Sequence, residues 1–262
     1  MAASLRLGRA GRARVRAQLR QMWWLYPFNV VSWLSLFGLY SLWTIVFFHT
    51  DQFHQYLSPF YSPQVALGRT PVSPALFIFY IPLGFRATCY YYRKAYYRSF
   101  FADPPACAKG EPTQFGALVP TGRGTAYRGE TKLPFVLNNL HRFFLYLAVA
   151  FVVVLWIDVF RAFSYHGHFG FGVGTAVMLV NIVLLTGYTF GCHSLRHLVG
   201  GSVDCFSCVL AGAQRRQLWR GTSWLNARHS TFAWLSLFSL IITDAYIRLL
   251  QYGLIHDPHL GF

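Results

Sequence analysis

Residues 191–208, GCHSLRHLVGGSVDCFSC, contain the side chains with the clearest potential for chemistry. His193 and His197 are four residues apart, so on a helix both imidazoles project from one face. Cys205 and Cys208 form a C-x-x-C pair, the spacing with which two thiolates bind one metal ion. Two glycines between the pairs allow the chain to turn back. The spacing therefore predicts a metal site formed by these two histidines and two cysteines.

More than one centre takes two nitrogen and two sulfur ligands. A structural zinc ion does, and so does a Rieske-type [2Fe–2S] cluster, in which two histidines replace two cysteines on one iron. Soluble Rieske proteins carry one Cys and one His in each of two loops, whereas this stretch has a pair of each. Haem b is the third alternative, because His193, His141 and His229 are expected at similar depth. Cys192 and His229 are additional candidate ligands, although Cys192 would lie about 100° around a helix from His193.

The composition is that of a membrane protein. The chain has 262 residues, 55% of them hydrophobic and 12% charged, with a net charge of +15. Soluble domains carry about 25% charged residues. The basic residues are not separable from the apolar runs, so nucleic-acid binding is not expected. The five cysteines are all expected on the cytoplasmic half, which predicts that none forms a disulfide.

Apolar runs predict an all-α integral membrane protein with five transmembrane helices, forming a single membrane-anchor domain over residues 1–262. A basic tail, residues 1–27, precedes the spans. The spans are expected at about 28–49, 74–100, 133–161, 169–199 and 230–252. Two loops on the side of the N-terminus, 101–132 and 200–229, join them.

Charge distribution predicts the orientation of the chain. Of the 23 basic residues, six lie in the tail, nine between Arg86 and Arg142, and five between Arg196 and Arg228. With five spans these groups share one side, which the positive-inside rule places in the cytoplasm. The C-terminus is then external, and the protein is a multi-pass protein of the cell membrane.

A quinone site is expected at the cytoplasmic ends of the first three spans. Arg86 lies inside an apolar run, and an ionisable group at that depth is a functional candidate. Arg86, Tyr90 and His141 would supply polar groups to a quinone headgroup, and Trp23 and Trp24 would form the walls of its slot. No catalytic residue is expected in this chain, because carboxylates are scarce on the cytoplasmic side.

Three stretches resemble the membrane-anchor subunit of the actinobacterial-type succinate dehydrogenase, a succinate:quinone oxidoreductase. They are FRATCYYYRKAYYRSFFADPPACA, the charge-free run that leads into GCHSLRHLVGG, and DCFSC. The resemblance implies that the chain seats a flavoprotein and an iron–sulfur subunit on the cytoplasmic membrane face. It also implies that the chain passes electrons from succinate to menaquinone and has no activity of its own. The basic tail is a candidate contact for the soluble subunits, and a further small membrane subunit and a higher oligomer are left open.

The family also bears on the cofactor. Anchors in haem-bearing branches of the wider family carry axial histidines within their helices, whereas the middle of each span here lacks histidine. This difference favours the Rieske-type cluster over haem b. A small transporter, or a structural membrane protein with a zinc-stabilised loop, is the alternative class. A transporter predicts charges or broken helices near the membrane midplane, and the sequence indicates neither.

Overall fold

The computed structural model describes residues 24–48, 52–64, 73–100, 135–165, 167–201, 203 and 205–261. The helices are α1 Leu25–Phe47, α2 Tyr80–Ala87, α3 Tyr90–Phe100, α4 His141–Ala162, α5 Val173–Phe190, α6 His193–Arg196, α7 Gly212–Asn226 and α8 His229–Gln251. The strands are short: β1 Gln52–Phe53, β2 Tyr56–Leu57, β3 Ser164–Tyr165, β4 His168–Gly172 and β5 His259–Gly261. The described part of the chain is therefore mostly helical, as the sequence predicts.

The chain divides into two compact units. One comprises Met1–Leu36 and Tyr92–Arg128, of which the structure describes residues 24–36 and 92–100. The other comprises Phe37–Tyr91 and Gly129–Phe262. The larger unit contains α2 and α4 to α8.

Four helices in the described residues are long and apolar enough to cross a membrane. They are α1, the segment Val136–Ala162 that includes α4, α5 and α8. Each of these helices consists of a run with few or no charged residues. In such a run the backbone satisfies its own hydrogen bonds by forming a helix. The prediction near 169–199 is too long for α5, because residues 168–172 form β4 and the chain leaves the helix after Phe190.

The segment predicted as a second span, 74–100, is broken into pieces rather than forming one helix. A 3₁₀ turn, Pro74–Phe77, precedes α2, and Thr88 and Cys89 separate α2 from α3. The Thr88 hydroxyl donates to the Gly84 carbonyl at 2.7 Å, which satisfies a backbone acceptor at the end of α2. The structure therefore differs from the single span predicted over 74–100. The break directs the Cys89 side chain into the larger unit.

The main core lies among α4, α5 and α8. Apolar side chains of these helices form one buried cluster: Val152, Leu155, Val159, Ala162, Met178, Ile182, Leu185, Ile247 and Leu250, together with Tyr56. A second cluster joins Ile45 of α1 to Leu57, Tyr61 and Ala75. Burying this surface fixes the three long helices against each other, and the segment after α1 covers one of their ends.

A small antiparallel sheet closes the same end of the larger unit. Strand β4 pairs with β3 and with the C-terminal strand β5. Nearby, the Asp257 carboxylate accepts hydrogen bonds from the Tyr56 hydroxyl at 2.6 Å and from the Tyr246 hydroxyl at 2.7 Å. It also accepts from the Gly174 amide at 3.0 Å, at the start of α5. The C-terminal segment is thus attached to the first turn of α5.

Asp244 links α8 to two other segments from a fully buried position. Its carboxylate accepts hydrogen bonds from the Tyr40 hydroxyl of α1 at 2.5 Å and from the Ser58 hydroxyl. Arg248 Nε lies 3.2 Å from the same carboxylate, and the Arg248 guanidinium packs against the rings of Trp43 and Phe48. Removing Asp244 would therefore leave a buried cation and two hydroxyl groups without their acceptor.

We expect Asp244→Ala to lower the free energy of unfolding by about 3–5 kcal/mol, because it leaves the buried Arg248 guanidinium without its carboxylate. Ser58→Ala removes one donor only and should cost about 1–2 kcal/mol. Arg161→Ala is the matched control, since its partner Asp158 keeps the Ser62 hydroxyl and the Arg161 side chain is 73% exposed. Thermal unfolding in detergent measures all three. Equal losses for Asp244→Ala and Arg161→Ala would contradict the assignment.

Candidate functional site

Two cysteines and two histidines from four separate segments are buried at the end of the larger unit opposite the sheet. They are Cys89 at the break before α3, His141 at the start of α4, Cys192 just after α5, and His229 at the start of α8. The cysteines are 3% and 2% exposed, and each histidine is 9% exposed. Both cysteines are free thiols. This group is called the buried Cys/His cluster below.

The four side chains form two contacting pairs. His141 Nε2 lies 3.0 Å from Cys192 Sγ, and His229 Nε2 lies 3.4 Å from Cys89 Sγ. On the other side of its ring, His141 Nδ1 lies 2.9 Å from the Thr88 hydroxyl, which fixes the orientation of the imidazole. His229 Nδ1 is buried and has no hydrogen-bond partner among the described residues. One imidazole nitrogen of the cluster thus remains available for a ligand.

Aromatic rings connect the two pairs. Phe85 stacks on His141 with the ring centroids 4.9 Å apart, and Tyr188 stacks on His229 at the same separation. Phe85 and Tyr188 contact each other edge to face at 5.5 Å. These apolar faces exclude water from both imidazoles and hold them in fixed orientations.

Burial also affects the Cys192 thiol. It raises the pKa of Cys192 to about 11, and the nearby Cys89 contributes to the increase. The thiolate is therefore strongly disfavoured in the free protein, because burial removes its charge from water. A bound metal centre would supply a compensating positive charge.

A break in the helical structure next to each cysteine places that cysteine in the cluster. The helix α5 ends at Phe190, and Cys192 has an extended backbone with φ −65° and ψ 138° before α6 begins. The Gly191 carbonyl accepts a hydrogen bond from the Asn226 side chain at 2.8 Å, which ties this turn to α7. Cys192 is thus not on a helix with His193, so the predicted separation of about 100° between them does not apply.

Arg86 lies beside the cluster. Its guanidinium donates to the Ala233 carbonyl at 3.3 Å and to the Ser236 hydroxyl at 3.0 Å, both on α8. The guanidinium also lies 4.6 Å from the centre of the Tyr188 ring. A positive charge is therefore held next to His229 by groups on two helices.

The histidines and cysteines predicted from the sequence as metal ligands lie in the stretch that follows Cys192. The rings of His193 and His197 are 6.5 Å apart at the start of α6 and the π-helical turn after it. Burial lowers the pKa of His193, and the neighbouring Arg196 lowers it further. A side-chain group of three or more histidine, cysteine or carboxylate ligands around one metal position is not found among the described residues. The predicted ligand set stays a prediction.

Cys205 and Cys208 are joined by a disulfide. The expectation that the chain forms no disulfide is therefore wrong for this pair. The physical reason is local: the 3₁₀ turn Phe206–Cys208 brings their Cα atoms to 5.4 Å, within the range that a disulfide bridges. Sulfur atoms in a disulfide are not thiolates and do not bind metal as such.

Of the residues predicted to bind quinone, some lie beside the buried cluster and others are exposed. Arg86 and His141 both contact the aromatic layer around the cluster. Tyr90 is 65% exposed at the start of α3, and Trp24 is exposed in the smaller unit. Trp23 lies outside the described residues, as do the whole basic tail up to that residue, Cys107 and the loop around it. The quinone site stays a prediction.

The sequence did not indicate Cys89 as part of any site, and it indicated Cys192 only as an additional ligand. His141 and His229 were candidate haem ligands. The four residues of the buried cluster are separated by 37 to 52 positions, so no local spacing relates them. The available signal was a free cysteine inside the apolar segment 74–100, beside an arginine and a threonine.

Comparison with known proteins identifies similar chains. The family model for the actinobacterial succinate dehydrogenase subunit SdhC matches residues 25–253. Among solved structures, a chain of the Mycobacterium smegmatis Sdh1 complex in the apo form is 37% identical, with a TM-score of 0.75. The alignment covers 90% of this chain and 90% of that chain. None of the curated proteins matches.

Gly187 provides a test of the packing around His229. A Cβ atom at Gly187 would lie 2.4 Å from a Phe232 ring carbon, and α8 begins with His229 just before that ring. We therefore expect Gly187→Ala to destabilise the chain by about 1–3 kcal/mol through overpacking. Gly38→Ala is the matched control, because a Cβ there has no atom within 4 Å. Thermal unfolding in detergent measures both; a Gly187→Ala variant as stable as Gly38→Ala would show that α5 and α8 are not packed this closely.

Proposed function

The chain belongs to the family of actinobacterial succinate dehydrogenase SdhC subunits, and we propose that it passes electrons from the soluble part of that complex to a membrane quinone. It is the membrane subunit of an enzyme complex and is not expected to act alone. The proposed soluble partners are a flavoprotein subunit and an iron–sulfur subunit. The observation that carries the electron-transfer role is the buried Cys/His cluster.

The cluster has the donor set of a Rieske-type [2Fe–2S] centre, which is two thiols and two imidazoles. A structural zinc ion needs four ligands at one point, whereas a two-iron centre needs two protein ligands at each iron. The two Cys–His contacts bring two thiols and two imidazoles into one buried group, which supports a centre with two thiolates at one iron and two imidazoles at the other. We therefore assign Cys89, His141, Cys192 and His229 as its ligands. When bound, such a centre accepts and donates one electron at a time.

The surrounding residues supply what such a centre requires from the protein. The Thr88 hydroxyl orients the His141 ring, and the stacked rings of Phe85 and Tyr188 keep water away from both imidazoles. Hydrogen bonds and burial around the ligands tune the potential of iron–sulfur centres. Arg86 adds a fixed positive charge beside this layer.

The charge distribution supports a cytoplasmic position for the cluster. Two of the four cluster residues, Cys89 and His141, lie within the basic sequence segment 86–142. The other two, Cys192 and His229, lie just before and just after the basic segment 196–228. Residues 74–91 run from the Ile45 cluster, where Ala75 is buried, to His141 and His229, which contact Thr88 and Cys89. This path supports a second membrane crossing by the broken segment. The chain then crosses five times, with the N-terminus inside and the C-terminus outside, in the cell membrane.

The quinone, proposed to be menaquinone, is placed next to the cluster. Its carbonyl groups need hydrogen-bond donors and its ring needs an apolar slot. Arg86 offers such a donor, and the exposed Tyr90 is the proposed wall of the slot. His141 is assigned to the metal centre instead, so the slot depends on Arg86 among the polar groups.

The two ligand sets are separated by matched substitutions in the assembled complex. We expect His141→Ala and Cys192→Ala to remove the Rieske-type EPR signal of the dithionite-reduced complex and the iron of that one centre, because each removes a ligand, whereas the signals of the iron–sulfur subunit should remain. His197→Ala and Cys205→Ala remove the same chemical groups outside the cluster and should leave both the Rieske-type signal and that iron. The reverse result would restore the set predicted from the sequence. A pyridine haemochrome band without a Rieske-type signal would instead assign haem b, and bound zinc without a Rieske-type signal would assign a structural site.

Arg86→Leu tests the quinone site. We expect quinone reduction by the complex to fall about tenfold, as loss of one hydrogen bond from a charged donor costs about 1.5–3 kcal/mol. Reduction of an artificial dye by the soluble subunits should persist. Arg142→Leu is the control. Arg142 is exposed in the first turn of α4, next to His141, and its replacement should leave both activities unchanged. If Arg86→Leu also leaves both unchanged, the quinone binds elsewhere, and the region beside Trp219 and His229 is the next candidate.

A further inference from the structure

We propose that the Cys205–Cys208 disulfide is a reversible redox site, opened by thiol reductants, whose state shifts the segment that carries Cys192. The thiol chemistry stands by itself. Only its effect on electron transfer rests on the proposed function.

The disulfide is accessible, whereas the other described cysteines are not. Cys205 and Cys208 are both exposed, on a 3₁₀ turn in the basic stretch between α6 and α7. Cys89 and Cys192 are buried. This turn lies on the side that the charge distribution places in the cytoplasm, where disulfides are uncommon and those that form are usually catalytic or redox-sensing. An exposed pair in that compartment is therefore suited to exchange rather than to permanent bracing.

The exchange balances as a two-electron reduction. A thiolate of the reductant attacks one sulfur of the Cys205–Cys208 bond and forms a mixed disulfide with it, and the other cysteine leaves as a thiolate that takes up a proton. A second thiol of the reductant then displaces the first cysteine, which is also protonated. The products are two cysteine thiols and one disulfide of the reductant. Oxidants of the disulfide class, such as the oxidised reductant, reverse the reaction.

One of the two residues enclosed by the disulfide loop, Phe206, packs against α7. The Phe206 ring lies 6.2 Å from the Trp219 ring, measured between centroids. Gly200 of the π-helical turn lies under both rings, because a Cβ there would be 2.6 Å from Trp219 and 2.9 Å from Phe206. The Phe206 carbonyl is equally close to α7, since a Cβ at Gly212 would overlap it at 1.6 Å. The disulfide restricts Phe206 to a turn that fits this tight contact.

A chain of contacts links the packed ring to Cys192. The Arg196 guanidinium lies 5.0 Å from the centre of the Trp219 ring, and its Nε donates to the Ser223 hydroxyl at 2.9 Å. The Arg196 amide donates to the Cys192 carbonyl at 3.1 Å. Opening the disulfide frees Phe206 from its restricted turn, loosens the support of Trp219, and thereby changes the position of α6 relative to the buried cluster.

Differential alkylation of the intact complex in membranes tests the redox site. Thiols are blocked with N-ethylmaleimide, disulfides are then reduced with dithiothreitol and labelled with a second maleimide, and peptides are mapped by mass spectrometry. We expect the second label on Cys205 and Cys208 after treatment with oxidised dithiothreitol, and the first label on both after treatment with dithiothreitol. A pair that stays reduced after the oxidant, or stays oxidised after the reductant, would overturn the proposal. A Cys107→Ser background removes the thiol of residues 101–132 from the labelled set.

The coupling is measured as quinone reduction by the same complex in its two redox states. We expect the two states of the wild type to differ by about fivefold, the lower end of ordinary coupling between sites. Cys205→Ser with Cys208→Ser should abolish the response, and Cys107→Ser should keep it. Trp219→Leu should retain the labelling switch but lose the activity response. Switching thiols with equal activities would overturn the coupling, while a complex without any quinone reduction would refute the proposed function and leave the labelling result intact.

Discussion

Pairing of buried polar groups is the constraint on which the rest of this structure depends. In hydrocarbon, each unpaired polar group costs several kcal/mol, so polar side chains of membrane-spanning helices persist only where the fold supplies partners. Asp244 has Tyr40, Ser58 and Arg248, and Asp158 has Ser62 and Arg161. These carboxylates attach the segment after α1 to the long helices. At the other end, the same constraint brings imidazoles and thiols into contact.

Interruptions of helices, rather than helices themselves, create the candidate site. A residue in the middle of a helix presents its side chain at a fixed angle, and its neighbours compete for the same face. The breaks at Thr88 and Gly191 release Cys89 and Cys192 from that geometry, and His141 and His229 occupy the first positions of their helices. Four helix ends thereby converge, while the long apolar helices α4, α5 and α8 remain regular. The rigid helices fix the positions of the side chains, and the breaks bring the two thiols to the two imidazoles.

The sequence predicts the long helices well because absence of charge over about 20 residues has few structural solutions. The charge-free runs before Phe48 and Phe190 illustrate this. The sequence does not reveal the break at Thr88, because the nearby tyrosines and arginines also fit a continuous helix end. Nor does spacing reveal a site whose members come from four segments. The close pairs at His193 and Cys205 attract attention because they are local, whereas the contacts of Cys89 and Cys192 exist only after the helices have packed.

The position of Arg248, one turn after Asp244, bears on how the last helix enters the bilayer. A lone ionised side chain in the middle of an inserting helix costs about 2.5–3.5 kcal/mol on translocon-based scales. Arg248 Nε contacts the Asp244 carboxylate within the same helix, so α8 is delivered to the lipid as an electrically neutral segment. It does not have to wait for Tyr40 or Ser58, which belong to earlier parts of the chain. Asp158 and Arg161 give α4 the same property at its end. Each of these helices thus carries its own counterion through the translocon, and assembly afterwards exchanges lipid contacts for the hydroxyl groups of its neighbours.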